Sequence, residues 1–91
     1  MPAQVTIYTR RWCGYCFAAE RLLRKKGVAF ENIDCTGDSA KREWLAQVTG
    51  RTTVPQVFID GKAIGGYDDM RALDQRGELD KLLAGAASTA G

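Results

Sequence analysis

Two cysteines, Cys13 and Cys16, are separated by one glycine and one tyrosine, a spacing at which both can take part in redox chemistry. If a helix begins at Cys13, both thiols lie on one face of it, one turn apart. The free N–H groups and the dipole of a helix N-terminus stabilise a thiolate, and the neighbouring Arg10 and Arg11 add positive charge. The spacing therefore predicts a thiol–disulfide exchange centre, with Cys13 as an exposed, readily ionised nucleophile and Cys16 as the more buried resolving thiol.

The other residue types narrow the chemistry that is open to these thiols. The chain holds three cysteines and no histidine, whereas a structural zinc site needs four such ligands. The odd number of cysteines also argues against a framework of structural disulfides. Cys35 is expected to be a half-buried small hydrophobe, with a regulatory or intermolecular disulfide as the alternative. For Cys13 and Cys16 the alternative is a pair of unreactive buried cysteines.

The composition of the 91-residue chain predicts one globular domain. With 45% hydrophobic and 26% charged residues the chain is too apolar for disorder, and no apolar run approaches the roughly 20 residues of a membrane span. A net charge of +2 argues against a nucleic-acid-binding protein, although residues 1–30 hold six Arg or Lys against one Glu. The first ten residues contain no apolar stretch typical of a secretory signal, which predicts a cytoplasmic location.

Seven predicted elements position these side chains, in the order strand, helix, strand, helix, strand, strand, helix. The first strand–helix–strand unit predicts two parallel strands joined by a right-handed crossover. This order predicts an α/β fold with a four-stranded mixed sheet and helices on both faces, in a domain of residues 1–85 followed by a flexible tail, 86–91. The predicted strands are 5–8, 28–34, 57–59 and 62–64, and a hairpin turn at Asp60-Gly61 joins the last two. The first predicted helix spans residues 14–26, and the second is capped by Asp38 or Ser39 and ends at Thr49-Gly50. The third begins at Asp68 and Asp69 and is broken near Gly77.

Three motifs besides the cysteine pair carry a resemblance to a known family: Tyr8–Arg10, Thr53–Pro55 and Gly65–Asp69. In this order and at these separations they resemble a dithiol glutaredoxin, closest to the short bacterial type, from about residue 3 to residue 83. The resemblance implies the thioredoxin fold, a four-stranded mixed sheet flanked by three or more helices. It also implies glutathione as the reductant and as part of the substrate.

The resemblance further implies which residues hold glutathione. Pro55 is expected to be a cis proline facing the cysteines, and the backbone of Val54 to pair with the cysteinyl backbone of the substrate like an added strand. Arg10 and Arg42 correspond to positions near the glycine carboxylate, which an arginine can bind with two hydrogen bonds. The complete set of expected glutathione contacts is Arg10, Tyr15, Arg42, Thr53, Val54, Pro55, Gly66, Tyr67 and Asp68.

Within that set, Gly66, Tyr67 and Asp68 match the positions that hold the γ-glutamyl end of glutathione. A helix N-terminus offers N–H groups to a carboxylate, and an Asp carboxylate can accept a hydrogen bond from an ammonium group. Several residues also have a simpler alternative role. Asp68, and Asp69 more strongly, would be plain helix caps. Pro55 would open a strand, Arg42 would be a solvated charge and Tyr15 would pack on the surface.

Gly14 is a departure, because the commonest glutaredoxin motif has proline at this position. Glycine loosens the turn and removes bulk beside Cys13. By resemblance to relatives with Gly or Ser here, a [2Fe–2S] cluster could bridge two subunits, with glutathione completing the ligands and Cys13 as the protein ligand. A cluster-binding dimer acting as carrier or sensor is therefore the alternative function. A third hypothesis is a redoxin reduced by thioredoxin reductase, and the segment 65–69 counts against it.

The main hypothesis is a monomeric glutathione-disulfide oxidoreductase with two routes. Cys13 attacks a glutathione mixed disulfide and a second glutathione resolves the product, or Cys13 attacks a protein disulfide and Cys16 resolves it. The expected partners are glutathione and disulfide-bonded or glutathionylated proteins, with ribonucleotide reductase as one target that the resemblance suggests. Neither nucleic acid nor a membrane is expected as a partner.

Overall fold

The computed structural model describes residues 3–84, so the predicted tail, 86–91, lies outside the described residues. The element order agrees with the predicted one, and the last helix is divided into two at the predicted break. None of the described helices is both long enough and apolar enough to cross a membrane. The elements are β1 (Val5–Thr9), α1 (Gly14–Lys25), β2 (Glu31–Asp34), α2 (Ser39–Thr49), β3 (Gln56–Ile59), β4 (Lys62–Gly65), α3 (Tyr67–Gln75) and α4 (Glu78–Leu83).

The four strands form one mixed sheet in the order β2-β1-β3-β4. β1 runs parallel to β2, with Ile7 opposite Asn32, and antiparallel to β3, with Ile7 opposite Val57. β3 and β4 form the predicted hairpin, and their register shifts between Val57 and Phe58. Because β1 is a central strand, its C-terminal end at Thr9 lies between its neighbouring strands, and α1 begins just beyond it.

The main core lies on the face of the sheet covered by α1, α3 and α4. Ile7 and Val57 of the two central strands are fully buried there, against Leu23, Met70 and Leu79 from the three helices. Burying each side chain of this size stabilises the fold by about 1.5–3 kcal/mol relative to leaving it exposed.

The opposite face of the sheet carries an aromatic group. Tyr8 and Phe58, which alternate with the core residues along β1 and β3, have ring centroids 5.4 Å apart. Trp44 of α2 packs on both, 5.6 Å from Tyr8 and 6.1 Å from Phe58. Helices therefore cover both faces, as the order of elements predicts.

Two local features differ from or refine the predicted bounds. The second strand begins at Glu31 rather than at Val28, because its ladder with β1 starts where Thr6 faces Glu31. The segment before it leads back from the end of α1, and the Val28 N–H still donates to Leu23 O at 3.5 Å. The predicted break in the last helix is confirmed: Gly77 has a φ of 76°, in the left-handed region, between α3 and α4.

Candidate active site

Cys13 is the N-cap residue of α1. Its backbone is extended, with φ −117° and ψ 105°, and its Sγ accepts a hydrogen bond from the Cys16 N–H at 3.1 Å. The sulfur thus takes the place that a serine or aspartate oxygen holds at an ordinary helix start. An N–H donor and the positive end of the helix dipole both favour a negatively charged sulfur at this place.

The two thiols differ in their access to solvent, although less than the sequence suggests. Cys13 is 8% exposed and Cys16 is 1% exposed. The expectation of an exposed Cys13 is therefore wrong in degree, because its side chain turns back onto the first turn of α1 and its Sγ lies 4.0 Å from the Val54 carbonyl oxygen. Cys13 keeps a small accessible edge, and Cys16 has almost none.

Burial also makes the chemistry of the two thiols unequal. It raises the pKa of Cys16 from 9.0 to about 12, and the hydrogen bond with Cys13 acts in the same direction, while the backbone of Arg10 opposes both. Cys16 is therefore a protonated thiol at neutral pH. This is the property expected of a resolving thiol that becomes reactive only when a disulfide forms beside it.

Cys35 lies outside this pair. It is fully buried rather than half-buried as expected, and its Sγ lies 3.8 Å from the Ile33 carbonyl oxygen. Burial raises the pKa of this thiol. Cys35 thus has the surroundings of a small core residue, which is the first of its two predicted roles.

The loop before β3 forms one wall beside the thiols. The Val54–Pro55 peptide bond is cis, as predicted. The side chain of Gln56, 1% exposed, donates to the Thr53 carbonyl oxygen at 2.9 Å and so holds the loop from below. This leaves the backbone of Val54 turned toward Cys13.

The N-terminus of α3 forms the second wall, and a carboxylate organises it. Asp69 accepts a hydrogen bond from the Gly66 N–H at 2.9 Å and is paired with Arg51, whose Nη1 and Nη2 lie 2.5 and 3.5 Å from its two oxygens. Arg51 and then the Gly66 N–H hold the pKa of Asp69 below its usual value. The ion pair therefore ties the loop before Pro55 to the start of α3.

The paired glycines before α3 follow from this arrangement. At Gly65, φ is 118° and an added Cβ would lie 2.5 Å from an Asp69 carboxylate oxygen. At Gly66 an added Cβ would lie 3.2 Å from the Pro55 carbonyl oxygen. A side chain at Gly65 would therefore displace the carboxylate of Asp69, and Gly66 allows the start of α3 to approach the loop that carries Pro55.

A groove of about 290 Å³ lies between the two walls. The rings of Tyr15 and Tyr67 stand across it, with centroids 6.4 Å apart. Asp68 is exposed and forms no ion pair within the described part of the chain. The residues lining the groove are Tyr15, Arg51, Thr53, Val54, Pro55, Gly66, Tyr67, Asp68 and Asp69.

Most of the predicted glutathione contacts thus meet in one groove, but two do not. Arg10 lines a separate cavity, and Arg42 is an exposed residue of α2 that is absent from the groove lining. Two lining residues were not predicted as contacts, Arg51 and Asp69. Asp69 has a local signal, an acidic residue three positions after the helix start, whereas Arg51 has none because its partner is 18 residues away.

The described residues contain no group of three or more His, Cys, Asp or Glu side chains that could hold a metal ion. The cysteine pair lies beside the groove, where Cys13 Sγ is 4.0 Å from the Val54 carbonyl oxygen. A nucleophilic sulfur, a buried protonated sulfur and an exposed backbone edge are what a disulfide exchange centre requires.

Comparison with known proteins agrees with this reading of the site. The glutaredoxin family profile matches residues 5–64. Glutaredoxin 3 of Escherichia coli strain K12 is 54% identical over 81 residues, which cover 89% of this chain and 98% of that protein.

Two solved structures are similar in fold as well as in sequence. The crystal structure of a buckwheat glutaredoxin–glutathione complex has a TM-score of 0.84 at 32% identity, covering 89% of this chain and 76% of the other. The holo form of glutaredoxin C1 from Populus tremula x tremuloides has a TM-score of 0.85 at 39% identity, covering 94% and 80%. The chain therefore belongs to the glutaredoxin family, with a thioredoxin-like fold and the role of a thiol–disulfide oxidoreductase.

Proposed function

We propose that the protein is a glutathione-dependent oxidoreductase that reduces glutathione mixed disulfides and protein disulfides. The observation that carries the proposal is the position of Cys13 Sγ, 4.0 Å from the Val54 carbonyl oxygen at the mouth of the groove. A cysteinyl backbone paired with Val54 would bring its own sulfur to Cys13. The buckwheat relative, solved as a complex with glutathione, supports this choice of ligand.

Glutathione would lie along the groove as an extended peptide. Its cysteinyl backbone pairs with the free backbone edge of Val54, in the manner of an added strand. Its γ-glutamyl carboxylate meets the N–H groups at the start of α3, and its ammonium group meets the carboxylate of Asp68. Tyr15 and Tyr67 flank the ligand, and Arg10 and Arg42 are assigned to its glycine carboxylate.

The first reaction uses one protein thiol. The Cys13 thiolate attacks the glutathione sulfur of a mixed disulfide, a new Cys13–glutathione disulfide forms, and the target leaves as a thiolate that takes up a proton. A second glutathione, as its thiolate, attacks the glutathione sulfur bound to Cys13. Oxidised glutathione leaves and the Cys13 thiolate is restored, so that Cys16 is not needed.

The second reaction reduces a protein disulfide and uses both thiols. Cys13 forms a mixed disulfide with the target and releases one target thiol. Cys16 then attacks the Cys13 sulfur, passing its proton to the departing target thiolate, and the Cys13–Cys16 disulfide remains. Two molecules of glutathione reduce that disulfide and leave as oxidised glutathione.

A coupled assay tests the proposal directly. The protein is mixed with glutathione, glutathione reductase and NADPH, and the mixed disulfide of cysteine and glutathione is added as substrate. NADPH oxidation that depends on the protein is expected. The proposal is wrong if no NADPH is oxidised in this assay and NADPH oxidation appears when thioredoxin reductase replaces glutathione and glutathione reductase. The protein would then be a redoxin that is reduced by thioredoxin reductase.

The proposed reactions belong in a reducing compartment, in agreement with the cytoplasmic location predicted from the sequence. The proposed protein targets are glutathionylated proteins and enzymes that end each turnover with a disulfide, ribonucleotide reductase among them. The proposed form in solution is a monomer, because one chain holds both thiols and the groove.

A second candidate function is the binding of a [2Fe–2S] cluster between two subunits. The observation that favours it is the open space at Gly14, where an added Cβ would meet no atom within 4 Å. The donor set fits only in a dimer, since Cys13 would provide one thiolate from each chain and two glutathione thiolates would complete the four ligands. Such a cluster would supply electron or cluster transfer rather than disulfide exchange.

Anaerobic purification with glutathione tests the second candidate. Iron and sulfide in about equal amounts, visible absorption and a dimer on size-exclusion chromatography are expected for the cluster form. Gly14→Pro, which restores the commoner residue, is expected to lower the iron content. A colourless, iron-free monomer would exclude this function and leave the first proposal untouched.

A further inference from the structure

Exposed apolar side chains are concentrated around Cys13. Among the described residues, the large hydrophobic side chains with the highest exposed fractions are Trp12 at 92%, Tyr15 at 64% and Phe17 at 59%. The other two exposed side chains of this class, Trp44 and Val48, both lie on α2 and are less exposed, at 44% and 48%. An exposed patch of this kind beside a reactive atom indicates an interaction surface.

The proposed glutathione site explains only one of these three side chains. Tyr15 lines the groove described above. Trp12 and Phe17 line a different cavity of about 550 Å³ together with Arg10 and Arg11, and the two cavities share no lining residue. We call the surface formed by Arg10, Arg11, Trp12 and Phe17 the Trp12 face.

The backbone presents Trp12 to solvent in an unusual conformation. Its φ is 57°, in the left-handed region that bulky residues rarely adopt. The preceding residue is held in place, since the Arg11 N–H donates to Thr36 Oγ1 at 2.8 Å. Strained backbone held by its surroundings is typical of binding and catalytic segments.

The Trp12 face also carries unpaired positive charge. Neither Arg10 nor Arg11 forms an ion pair within 4 Å in the described part of the chain. The two acidic residues of the same cavity are already engaged. Glu20 is paired with Arg24 at 3.1 Å.

Asp34, the second acidic residue of the cavity, accepts a hydrogen bond from the Thr36 N–H at 2.8 Å. The hydrogen bonds from Thr36 are the main cause that lowers the pKa of this carboxyl group, and the positive charge of Arg11 adds to the effect. The charge left open to a partner on this face is therefore positive, beside two exposed aromatic rings.

We propose that the Trp12 face binds the polypeptide chain around the disulfide of a protein substrate. The preferred segment has an apolar side chain that packs on Trp12 and Phe17 and an acidic side chain that pairs with Arg11. The proposal rests on the proposed function, because a macromolecular substrate must bring its disulfide to Cys13 and so cover the surface next to it. Tryptophan and arginine are the residue types that contribute most at such contacts.

The kinetic test compares a small substrate with two peptides. The small substrate is the cysteine–glutathione mixed disulfide, and the peptides are glutathionylated, equal in length, and carry either Leu and Asp or Ser and Lys beside the cysteine. Trp12→Ala is expected to lower kcat/KM for the Leu–Asp peptide about tenfold and to leave the small substrate unchanged. Trp44→Ala is the matched control, since this exposed tryptophan packs on Tyr8 and Phe58, on the face of the sheet opposite to α1, and is expected to change neither.

A charge variant separates the two parts of the face. Arg11→Ala is expected to reduce the preference for the Leu–Asp peptide over the Ser–Lys peptide about threefold, and added salt should reduce it similarly in the unmodified protein. An unchanged rate for the Leu–Asp peptide in Trp12→Ala would overturn the proposal. An equal loss for peptide and small substrate would also overturn it, because Trp12 would then act on Cys13 itself.

A binding measurement keeps the test independent of turnover. Trp12 and Trp44 are the two tryptophans of the chain, so Trp44→Phe leaves Trp12 as the only indole. Addition of the reduced Leu–Asp peptide is expected to shift the Trp12 emission to shorter wavelengths, and to leave the Trp44 emission of Trp12→Phe unchanged. A shift of the Trp12 emission without turnover in the coupled assay would contradict the glutathione-dependent function and not the docking surface. Turnover without a shift of the emission would contradict the docking surface alone.

Discussion

The N-termini of α1 and α3 flank the same groove, and each uses the free N–H groups of a helix start in a different way. At α1 the cap is Cys13, whose sulfur accepts the Cys16 N–H at 3.1 Å, and the first turn carries no acidic residue. At α3 the cap is Gly66, and the first turn carries Asp68 and Asp69. One helix start therefore holds the reacting sulfur, and the other carries the acidic residues that we propose to contact glutathione.

The difference shows that the free N–H groups of a helix N-terminus serve two different purposes in this protein. At the cap of α1 the Cys16 N–H donates to the sulfur of Cys13, so the same N–H group caps the helix and contacts the reacting atom. At α3 the carboxylate of Asp69 already accepts the Gly66 N–H and is neutralised by Arg51. The Gly66 N–H is thus already taken up by Asp69, whereas the carboxylate of Asp68 at the same helix start is exposed.

The largest expected effect separates the two thiols at α1. Cys13→Ser is expected to reduce both proposed reactions to background, because an alcohol is not ionised at neutral pH. Cys16→Ser should abolish reduction of protein disulfides and spare reduction of the cysteine–glutathione mixed disulfide, measured in the coupled assay. Equal losses in both assays for Cys16→Ser would contradict the division of roles.

The protonation of Cys16 can be measured by alkylation. With its pKa raised to about 12 by burial and the Cys13 hydrogen bond, Cys16 is almost fully protonated at pH 9, where an unfolded cysteine is about half ionised. The Cys13→Ser variant loses the contribution of the Cys13 thiol but keeps burial, the larger cause. In this variant Cys16 is expected to react with iodoacetamide about tenfold more slowly in the folded than in the urea-unfolded state, followed by peptide mass spectrometry. Similar rates in the two states would show that the site does not hold this thiol protonated.

At the α3 side, Gly65→Ala is expected to destabilise the fold by about 3 kcal/mol in urea unfolding. A methyl group there would lie 2.5 Å from the Asp69 carboxylate at a φ of 118°. Gly27→Ala is the matched control: φ is 72° and an added Cβ meets nothing within 4 Å, so only the backbone cost of about 1 kcal/mol is expected. Equal losses for the two variants would mean that Asp69 can move aside without cost.

A smaller effect is expected on removing the ion pair that joins the two walls. Arg51→Met frees Asp69 and should raise the KM for glutathione about threefold with kcat nearly unchanged, because Arg51 positions the groove and is remote from the reacting sulfur. Arg76→Met, which removes an exposed pair with Glu78 at 3.1 Å, is the control and should change neither parameter. A loss in kcat instead of KM would contradict a positioning role.

The smallest effect is on acid stability. Arg51 and the Gly66 N–H lower the pKa of Asp69 in the folded state from 3.8, so the unfolded state binds more protons near this pH. The stabilisation is present above pH 3.8 and is lost as the pH falls through the folded-state pKa. Below pH 4 the free energy of unfolding of Asp69→Asn should fall less steeply than that of the unmodified protein. The difference should be about 1 kcal/mol or less for this partly exposed pair. Parallel curves of unfolding free energy against pH would contradict the assignment.

Much of the frame could be predicted because its signals are local. The cysteine spacing, the helix starts at Gly14 and near Asp38, the hairpin turn at Asp60-Gly61 and the break near Gly77 each depend on a few adjacent residues. The predicted length of the second strand is too great, because the point at which a strand begins to pair depends on the partner strand as well as on the strand's own residues.

Features that join distant parts of the chain were decided only by the tertiary structure. The approach of Val54 to Cys13 reduces the exposure of a thiol that a local argument leaves open to solvent. The pairing of Arg51 with Asp69 has no sequence signal, since it joins residues 18 positions apart through side chains alone.

The exposure of Trp12 is a third such feature, because tryptophan is highly buried on average, whereas Trp12 is 92% exposed. The sequence by itself determined the redox pair, the order of elements and the family resemblance. These are encoded in residue types at short spacings, where the backbone geometry of one turn or one strand sets the outcome. The shape of the groove, the inequality of the two thiols and the second exposed face depend on how the elements pack, and that packing is a property of the whole chain.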